Sequence, residues 1–200
     1  MGKAKSSLMT MVLCLLLIAV AAASALAGVY MLTKPSIDQV EAQKKSDAMK
    51  AVLPNFKGET KLVPITLEGD NAPVNVNLAY NVDGTLFGAA VETYTMKAFS
   101  GSFTIMVGFD TTGTILGTEV IKASETPGLG SNISNKEKFS GQFADKKLNP
   151  SKEQFQLKVK KDGGTVDAIT AATISSRAFC DAVNRGAEAF EQAKKKGVSK

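Results

Sequence analysis

The chain has 200 residues, a net charge of +5 and no histidine. This length suffices for one domain and an appendage, and the absence of histidine excludes Ser-His-Asp triads and imidazole metal sites. Two cysteines cannot hold an iron–sulfur cluster alone, and no basic stripe with stacking aromatics suggests a nucleic-acid partner. We therefore expect no metal site and no catalytic acid, base or nucleophile. The protein either binds a partner or ligand, or it uses the chemistry of a cofactor.

The first predicted element is an apolar segment, residues 8–32, which contains no charged side chain. About 20 apolar residues suffice for a helix that spans the hydrocarbon of a bilayer, so the sequence predicts one transmembrane helix. A cleaved signal peptide is the alternative, because small residues between Ala23 and Ala27 form possible cleavage sites. Apolar residues continue to Leu32, however, which favours a retained anchor.

The orientation of this anchor is predicted from the lysines beside it. Lys3 and Lys5 precede the segment and Lys34 follows it, so the positive-inside rule places residues 1–7 in the cytoplasm. The chain is then a single-pass protein of the bacterial cytoplasmic membrane, in contact with the lipid bilayer. Its main domain lies on the periplasmic or outer side.

A polar stalk helix, residues 33–55, is expected after the anchor. Ser36 and Gln39 have the spacing of a capping box, which predicts the helix start, and Pro54 marks its end. Residues 56–200 then form the extracytoplasmic domain.

The domain is predicted to contain an antiparallel sheet. Apolar residues alternate with polar or small ones in residues 74–80 and 103–109, the period of half-buried strands. The turn signals that follow lead into further strands; the turns are Asp83-Gly84 and Asp110–Gly113, and the strands are residues 86–96 and 115–121. Consecutive hairpins imply antiparallel pairing.

The remaining elements are two helices and a last strand. A short helix is expected around residues 134–143, a strand at Phe155–Val159, and a long amphipathic helix from about Ile174 to Lys194. The fold class is therefore α+β, an antiparallel sheet packed with helices and preceded by one N-terminal transmembrane helix.

Hydroxyl groups cluster where the last helix begins. Four side chains can present oxygens there: Thr170, Thr173, Ser175 and Ser176. The free N–H groups and positive dipole end of a helix N-terminus attract phosphate, and Ala172 allows another molecule to approach the backbone. Ordinary helix capping by serine or threonine is the alternative.

The segment from Asp167 to Thr173, Asp-Ala-Ile-Thr-Ala-Ala-Thr, resembles the acceptor motif that flavin transferases modify, Asp-x-x-Ser/Thr-Gly/Ala-Ala-Ser/Thr. The resemblance implies that Thr173 is esterified to the phosphate of FMN, which is taken from FAD. It also implies that a flavin transferase recognises Asp167, Thr170, Ala172 and Thr173.

The loop Glu125-Thr126-Pro127-Gly128-Leu129-Gly130 resembles the hallmark loop of the FMN-binding G subunit of Rnf-type electron-transport complexes. The related C subunit of sodium-translocating NADH:quinone reductase shares this loop. The resemblance implies a covalent flavoprotein that passes electrons within a complex coupling ferredoxin–NAD redox chemistry to ion transport. Other membrane subunits are its implied partners, and no complete reaction is expected of it alone.

The chain departs from this family at one place. Family members often carry a histidine shortly before the loop, where this chain has Lys122-Ala123-Ser124. Any role of that histidine, such as proton transfer to the flavin, is therefore in doubt here, whereas attachment at Thr173 is unaffected.

The loop also has properties that suit a flavin directly. Pro127 fixes the backbone, while Gly128 and Gly130 permit positive φ and close approach to a flat ring. Leu129 is expected to pack on the isoalloxazine and Thr126 to hydrogen-bond to its heteroatoms. Glu125 would disfavour anionic reduced flavin; a solvated Glu125 on a rigid surface turn is the alternative.

The expected cofactor-binding set therefore comes from both motifs: Glu125, Thr126, Gly128, Leu129, Gly130, Thr170, Ala172, Ser175 and Ser176. Two other functions stay open, namely an electron-transfer flavoprotein of another extracytoplasmic chain and a non-redox surface binding module.

Overall fold

The computed structural model describes residues 8–70, 72–148 and 156–198. They divide into two compact units, one ending at Gln43 and the other beginning at Lys44. The first unit is formed by the N-terminal part of helix α1 (Leu8–Val52). An 18-residue window of this helix has a mean hydropathy of 2.7 and no buried residue. By length and composition, α1 can therefore cross a membrane.

Helix α1 passes through Pro35 without ending, so the helix start predicted at Ser36 is wrong. Starting a helix requires a costly nucleus, whereas extending an existing helix adds one hydrogen bond for each residue that is fixed. The helix that begins at Leu8 therefore overrides the local capping signal at Ser36.

Five strands form one antiparallel sheet in chain order: β1 (Glu59–Ile65), β2 (Val74–Tyr80), β3 (Leu86–Ala98), β4 (Gly101–Asp110) and β5 (Ile115–Ala123). Strands β2 to β5 confirm the four strands predicted from alternation and turn signals. The first strand was not predicted, because it is mostly exposed and contains Pro64. It lies at the edge of the sheet, where a proline is tolerated.

Helix α2 (Thr173–Val198) covers one face of the sheet. Its Phe190 stacks on Phe109 of β4 with 5.4 Å between ring centroids. On the opposite face, the last turns of α1 pack against Met106 and small residues of β2 and β3. Gly108 permits this contact, because a Cβ there would lie 2.0 Å from the carbonyl oxygen of Val52. Strands β3 and β4 are thus covered on both faces.

The short helix predicted around residues 134–143 is wrong. The chain instead forms two 3₁₀ turns, Gly130–Ser134 and Ser140–Phe143. Gly141 lies so close to Lys136 that a Cβ would be 2.4 Å from the Lys136 carbonyl oxygen. The Gly141 N–H donates to that carbonyl at 3.0 Å, five residues earlier, and Asn135 has an extended backbone (φ −83°, ψ 115°) that ends the first turn, so the segment does not form one continuous helix.

The strand predicted at Phe155–Val159 is not formed by its described residues. Phe155 lies outside the described part of the chain, and Val159 makes only an isolated bridge to Val166. The Asn184 side chain accepts from the N–H of Leu157 (2.8 Å) and donates to its carbonyl (2.9 Å). A side chain of α2 thereby supplies the partners that a neighbouring strand would supply.

Both cysteines, Cys14 and Cys180, lie among the described residues and are free. Burial raises the pKa of the Cys180 thiol to about 12. The thiol therefore stays protonated at neutral pH and belongs to the core rather than to the chemistry of the protein.

Candidate functional site

A cleft of about 280 Å³ lies beside the N-terminus of α2. Three segments form it: the turn between β3 and β4, the loop after β5, and the start of α2 with the residues before it. The lining residues are Phe99, Glu125, Thr126, Leu129, Gly130, Ala171, Ala172, Thr173, Ile174 and Ser175. The two sequence motifs, about 40 residues apart in the chain, therefore meet in one cleft.

Thr173 is the first residue of α2 and is half-buried in the wall of the cleft. The Ser176 N–H donates to the Ala172 carbonyl at 3.0 Å, which is the first hydrogen bond of the helix. The amides of residues 173–175 precede this bond and have no intrahelical partner. Together with the positive end of the helix dipole, they favour an anion beside Thr173.

Ala171 has a left-handed backbone with φ of +60°. This conformation costs a residue with a Cβ about 1–2 kcal/mol, and glycine adopts it without strain. The acceptor motif allows only glycine or alanine at this position. The turn at Ala171 therefore gives a physical reason for that part of the motif.

Glu125 is buried, with 7% of its surface exposed, and its carboxylate joins the three segments of the cleft. Its Oε1 accepts from the Ser100 N–H at 3.2 Å, and its Oε2 accepts from the Ser175 hydroxyl at 2.6 Å. The solvated glutamate considered as an alternative is therefore not observed. Glu125 instead fixes the loop to the first turn of α2.

Gly130 lies directly against this hydrogen bond. A Cβ at Gly130 would be 2.3 Å from Glu125 Oε2 and 2.8 Å from Ser175 Oγ. Gly128 has the expected positive φ of +76°, but Gly130 does not, so that part of the prediction is wrong. Gly130 is required because Glu125 and Ser175 approach its backbone closely.

We expect Gly130→Ala to destabilise the domain by about 1–3 kcal/mol, the usual cost of overpacking, because the methyl group displaces the Glu125 carboxylate from Ser175. Gly117→Ala is the matched control, since its Cβ meets no atom closer than 3.6 Å. Thermal unfolding followed by circular dichroism measures both variants. Equal stability of the two variants would contradict the close packing at Gly130.

Three residues of the expected binding set do not line the cleft: Gly128, Thr170 and Ser176. Ser176 is buried; its hydroxyl accepts from the Ile169 N–H at 3.0 Å and donates to the Ala172 carbonyl at 2.9 Å. This hydroxyl therefore fixes the backbone, as the capping alternative proposed. Thr170 is exposed on the turn before α2, and Asp167 forms an ion pair with Lys160 at 2.7 Å.

The sequence did not reveal three contributors to the site: Phe99, Ile174 and Gln142. Phe99 and Ile174 are 66% and 49% exposed in the cleft wall, whereas apolar residues are ordinarily expected in the core. Gln142 contacts the backbone of Asp167 across 25 residues of sequence. No local pattern signals a contact of that kind.

Two family models match parts of this chain. Residues 98–188 match the family model of the FMN-binding domain, and residues 6–52 match the RnfG N-terminal region. The G subunit of the ion-translocating oxidoreductase complex of Haemophilus influenzae (strain PittEE) is 33% identical over 165 residues, covering 80% of this chain and 79% of that protein. The corresponding G subunit of Methanosarcina acetivorans is 35% identical over 173 residues, covering 85% and 87%.

The chain belongs to the G-subunit family of ion-translocating oxidoreductase complexes. The family resemblance seen in the two motifs is thereby confirmed. The crystal structure of Shewanella oneidensis NqrC matches with a TM-score of 0.51 over 74% of each chain, at 23% identity, so the two share the fold. The predicted α+β class is confirmed.

The residues of the cleft fit the FMN that this family model describes. All ten lie within residues 98–188. Phe99, Leu129 and Ile174 offer apolar surface to a flat ring, and the free amides at the start of α2 suit a phosphate.

Proposed function

We propose that this chain is the membrane-anchored flavoprotein subunit of an Rnf-type complex, with FMN bonded through its phosphate to Thr173 Oγ. One observation carries the proposal: Thr173, the last residue of the acceptor motif, lines the cleft at the N-terminus of α2. A motif match alone would be compatible with simple capping. The position of Thr173, beside an apolar cleft and the unpaired amides of the helix start, favours a bound flavin phosphate over simple capping.

Different residues of the cleft would bind the phosphate and the ring of this cofactor. The amides of residues 173–175 would hold the phosphate, and the exposed side chains of Phe99, Leu129 and Ile174 would offer apolar surface to the ring and exclude water from it. FMN, when bound, supplies the electron chemistry by accepting and donating electrons one at a time. The protein supplies position and environment.

Glu125 adjusts the electrostatics of the cleft. Its carboxylate is fixed by Ser100 and Ser175 and lines the cleft. A fixed negative charge there disfavours additional negative charge on reduced FMN, which shifts the flavin potential. This shift of the flavin potential does not depend on the histidine that family members often carry before the loop.

We propose residues 8–32 as the membrane-spanning part of α1, residues 33–55 as the stalk and residues 56–200 as the flavin domain. The positive-inside rule, applied to Lys3 and Lys5 before the span, supports an N-terminus inside and a domain on the outer side. The partners are the other membrane subunits of the complex and, during maturation, a flavin transferase that uses FAD. The covalent bond keeps FMN at a high effective concentration outside the cytoplasm.

One experiment tests the covalent flavin and the orientation together. Spheroplasts of the native host are treated with an external protease and then run on a denaturing gel under ultraviolet light. We expect a fluorescent band of the full chain without protease and its loss when protease is added outside. A fluorescent band that resists the protease would contradict the orientation, and a dark band before protease would contradict covalent attachment.

A further inference from the structure

The acceptor segment, residues 167–172, forms neither a helix nor a strand, although every one of its residues is described. Backbone N–H and C=O groups in such a segment need partners from elsewhere. The Ser176 hydroxyl binds the N–H of Ile169 at 3.0 Å. The N-terminal end of the segment, at Asp167, is held differently.

Gln142 binds both backbone groups of Asp167. Its Oε1 accepts from the Asp167 N–H at 2.7 Å, and its Nε2 donates to the Asp167 carbonyl at 3.1 Å. The primary amide thus pairs with Asp167 as a residue of a neighbouring strand would. Two bonds from one planar group fix both the position and the direction of the backbone.

The turn that carries Gln142 is packed into the core through Phe143. Gln142 lies in the 3₁₀ turn Ser140–Phe143, and Phe143 is fully buried with its ring 4.8 Å from that of Phe179 on α2. The same helix begins at Thr173. Gln142 and Thr173 are therefore both connected to one aromatic cluster. The acceptor segment is held at its N-terminal end by Gln142 and at its C-terminal end by α2.

We propose that Gln142 is a positioning residue for flavin attachment. Gln142 fixes the backbone position of Asp167, so that the carboxylate of Asp167 and the hydroxyl of Thr173 are both correctly placed for a flavin transferase. This inference rests on the covalent attachment at Thr173 proposed above. Gln142 itself touches neither the flavin nor the reacting atoms.

The reaction requires that the Thr173 hydroxyl is accurately positioned. Thr173 Oγ forms a bond to the phosphorus on the flavin side of FAD, and the bond between that same phosphorus and the bridging oxygen of the pyrophosphate breaks. AMP leaves with the electron pair of that bond, and the hydroxyl proton passes to a base of the transferase. Such an in-line transfer is sensitive to small displacements of the attacking oxygen.

The test compares Gln142→Met with Gln192→Met in the full chain, purified in detergent. Methionine keeps the length of the glutamine side chain and removes both hydrogen bonds. Gln192 is the matched control, since it lies on α2 and donates only to Glu188 in the contacts described, at 3.4 Å. FAD, Mg²⁺ and a bacterial flavin transferase are supplied, and flavin fluorescence on denaturing gels gives the attachment rate.

We expect Q142M to be modified about tenfold more slowly, the factor that corresponds to about 1.4 kcal/mol, and Q192M at the rate of the unmodified sequence. Hydrogen exchange at the Asp167 amide should be about tenfold faster in Q142M alone, while both variants unfold at the same temperature as the unmodified chain. Gln142→Glu, which keeps the acceptor for the Asp167 N–H, should recover part of the rate.

An unchanged attachment rate in Q142M would overturn the positioning role, even if the Asp167 amide exchanged faster. An equal loss of rate in Q192M would also overturn it, since the effect would then not depend on Asp167. If the chain without any substitution failed to take up flavin, that result would instead refute attachment at Thr173.

Discussion

Thr173→Ala is expected to abolish covalent flavin completely while the domain stays folded. The hydroxyl oxygen of Thr173 is the atom that becomes bonded to phosphorus, and alanine offers no substitute. The neighbouring Ser175 hydroxyl is already donated to Glu125 at 2.6 Å, and that of Ser176 is bound to the backbone. No other hydroxyl of the first turn of α2 is free to replace it.

The stability of this variant should stay within about 0.5 kcal/mol of the unmodified chain, because the Thr173 side chain is only half-buried. Fluorescence on a denaturing gel measures the flavin, and circular dichroism measures folding. Thr173→Ser is the matched control and should keep the fluorescent band, since the acceptor motif accepts either residue. A T173A band as bright as that of T173S would place the flavin on another residue.

Phe179→Ala is expected to lower the free energy of unfolding by about 3–5 kcal/mol. Its ring is fully buried, and the ring centroids of Phe139, Phe143 and Phe103 lie 5.3, 4.8 and 6.2 Å away. The cluster joins α2 to the sheet and to the 3₁₀ turn Ser140–Phe143. Because domains are stable by only about 5–15 kcal/mol, this loss is a large part of the total.

Phe99→Ala is the control for this substitution, since Phe99 is 66% exposed and lines the cleft. Its stability should change by no more than about 0.5 kcal/mol, while its flavin becomes more accessible to soluble quenchers. Urea unfolding followed by circular dichroism gives both free energies. A loss below about 1 kcal/mol in F179A would contradict a central role of the aromatic cluster.

The fold was predictable where the signals are local. Alternation and turn residues identified β2 to β5, because each hairpin joins neighbouring segments. The irregular segment at Leu157 was not predictable, since the Asn184 side chain 27 residues later replaces a strand partner. The start predicted at Ser36 failed because an upstream helix already ran through it.

The same distinction holds for the site. The acceptor motif is contiguous, so Thr173 could be predicted directly from the sequence, and Thr173 lines the cleft. The contact between Glu125 and Ser175 spans 50 residues, and that between Gln142 and Asp167 spans 25. Contacts of this length depend on how α2 packs against the sheet, which no local pattern in one sequence specifies.

The most direct test of covalent attachment is peptide mapping by tandem mass spectrometry of the protein from membranes of its own host. We expect the peptide that contains residues 167–173 to carry the mass of one FMN less one water, with fragment ions that assign it to Thr173. An unmodified Thr173 in protein from a host with a working flavin transferase would contradict the central claim.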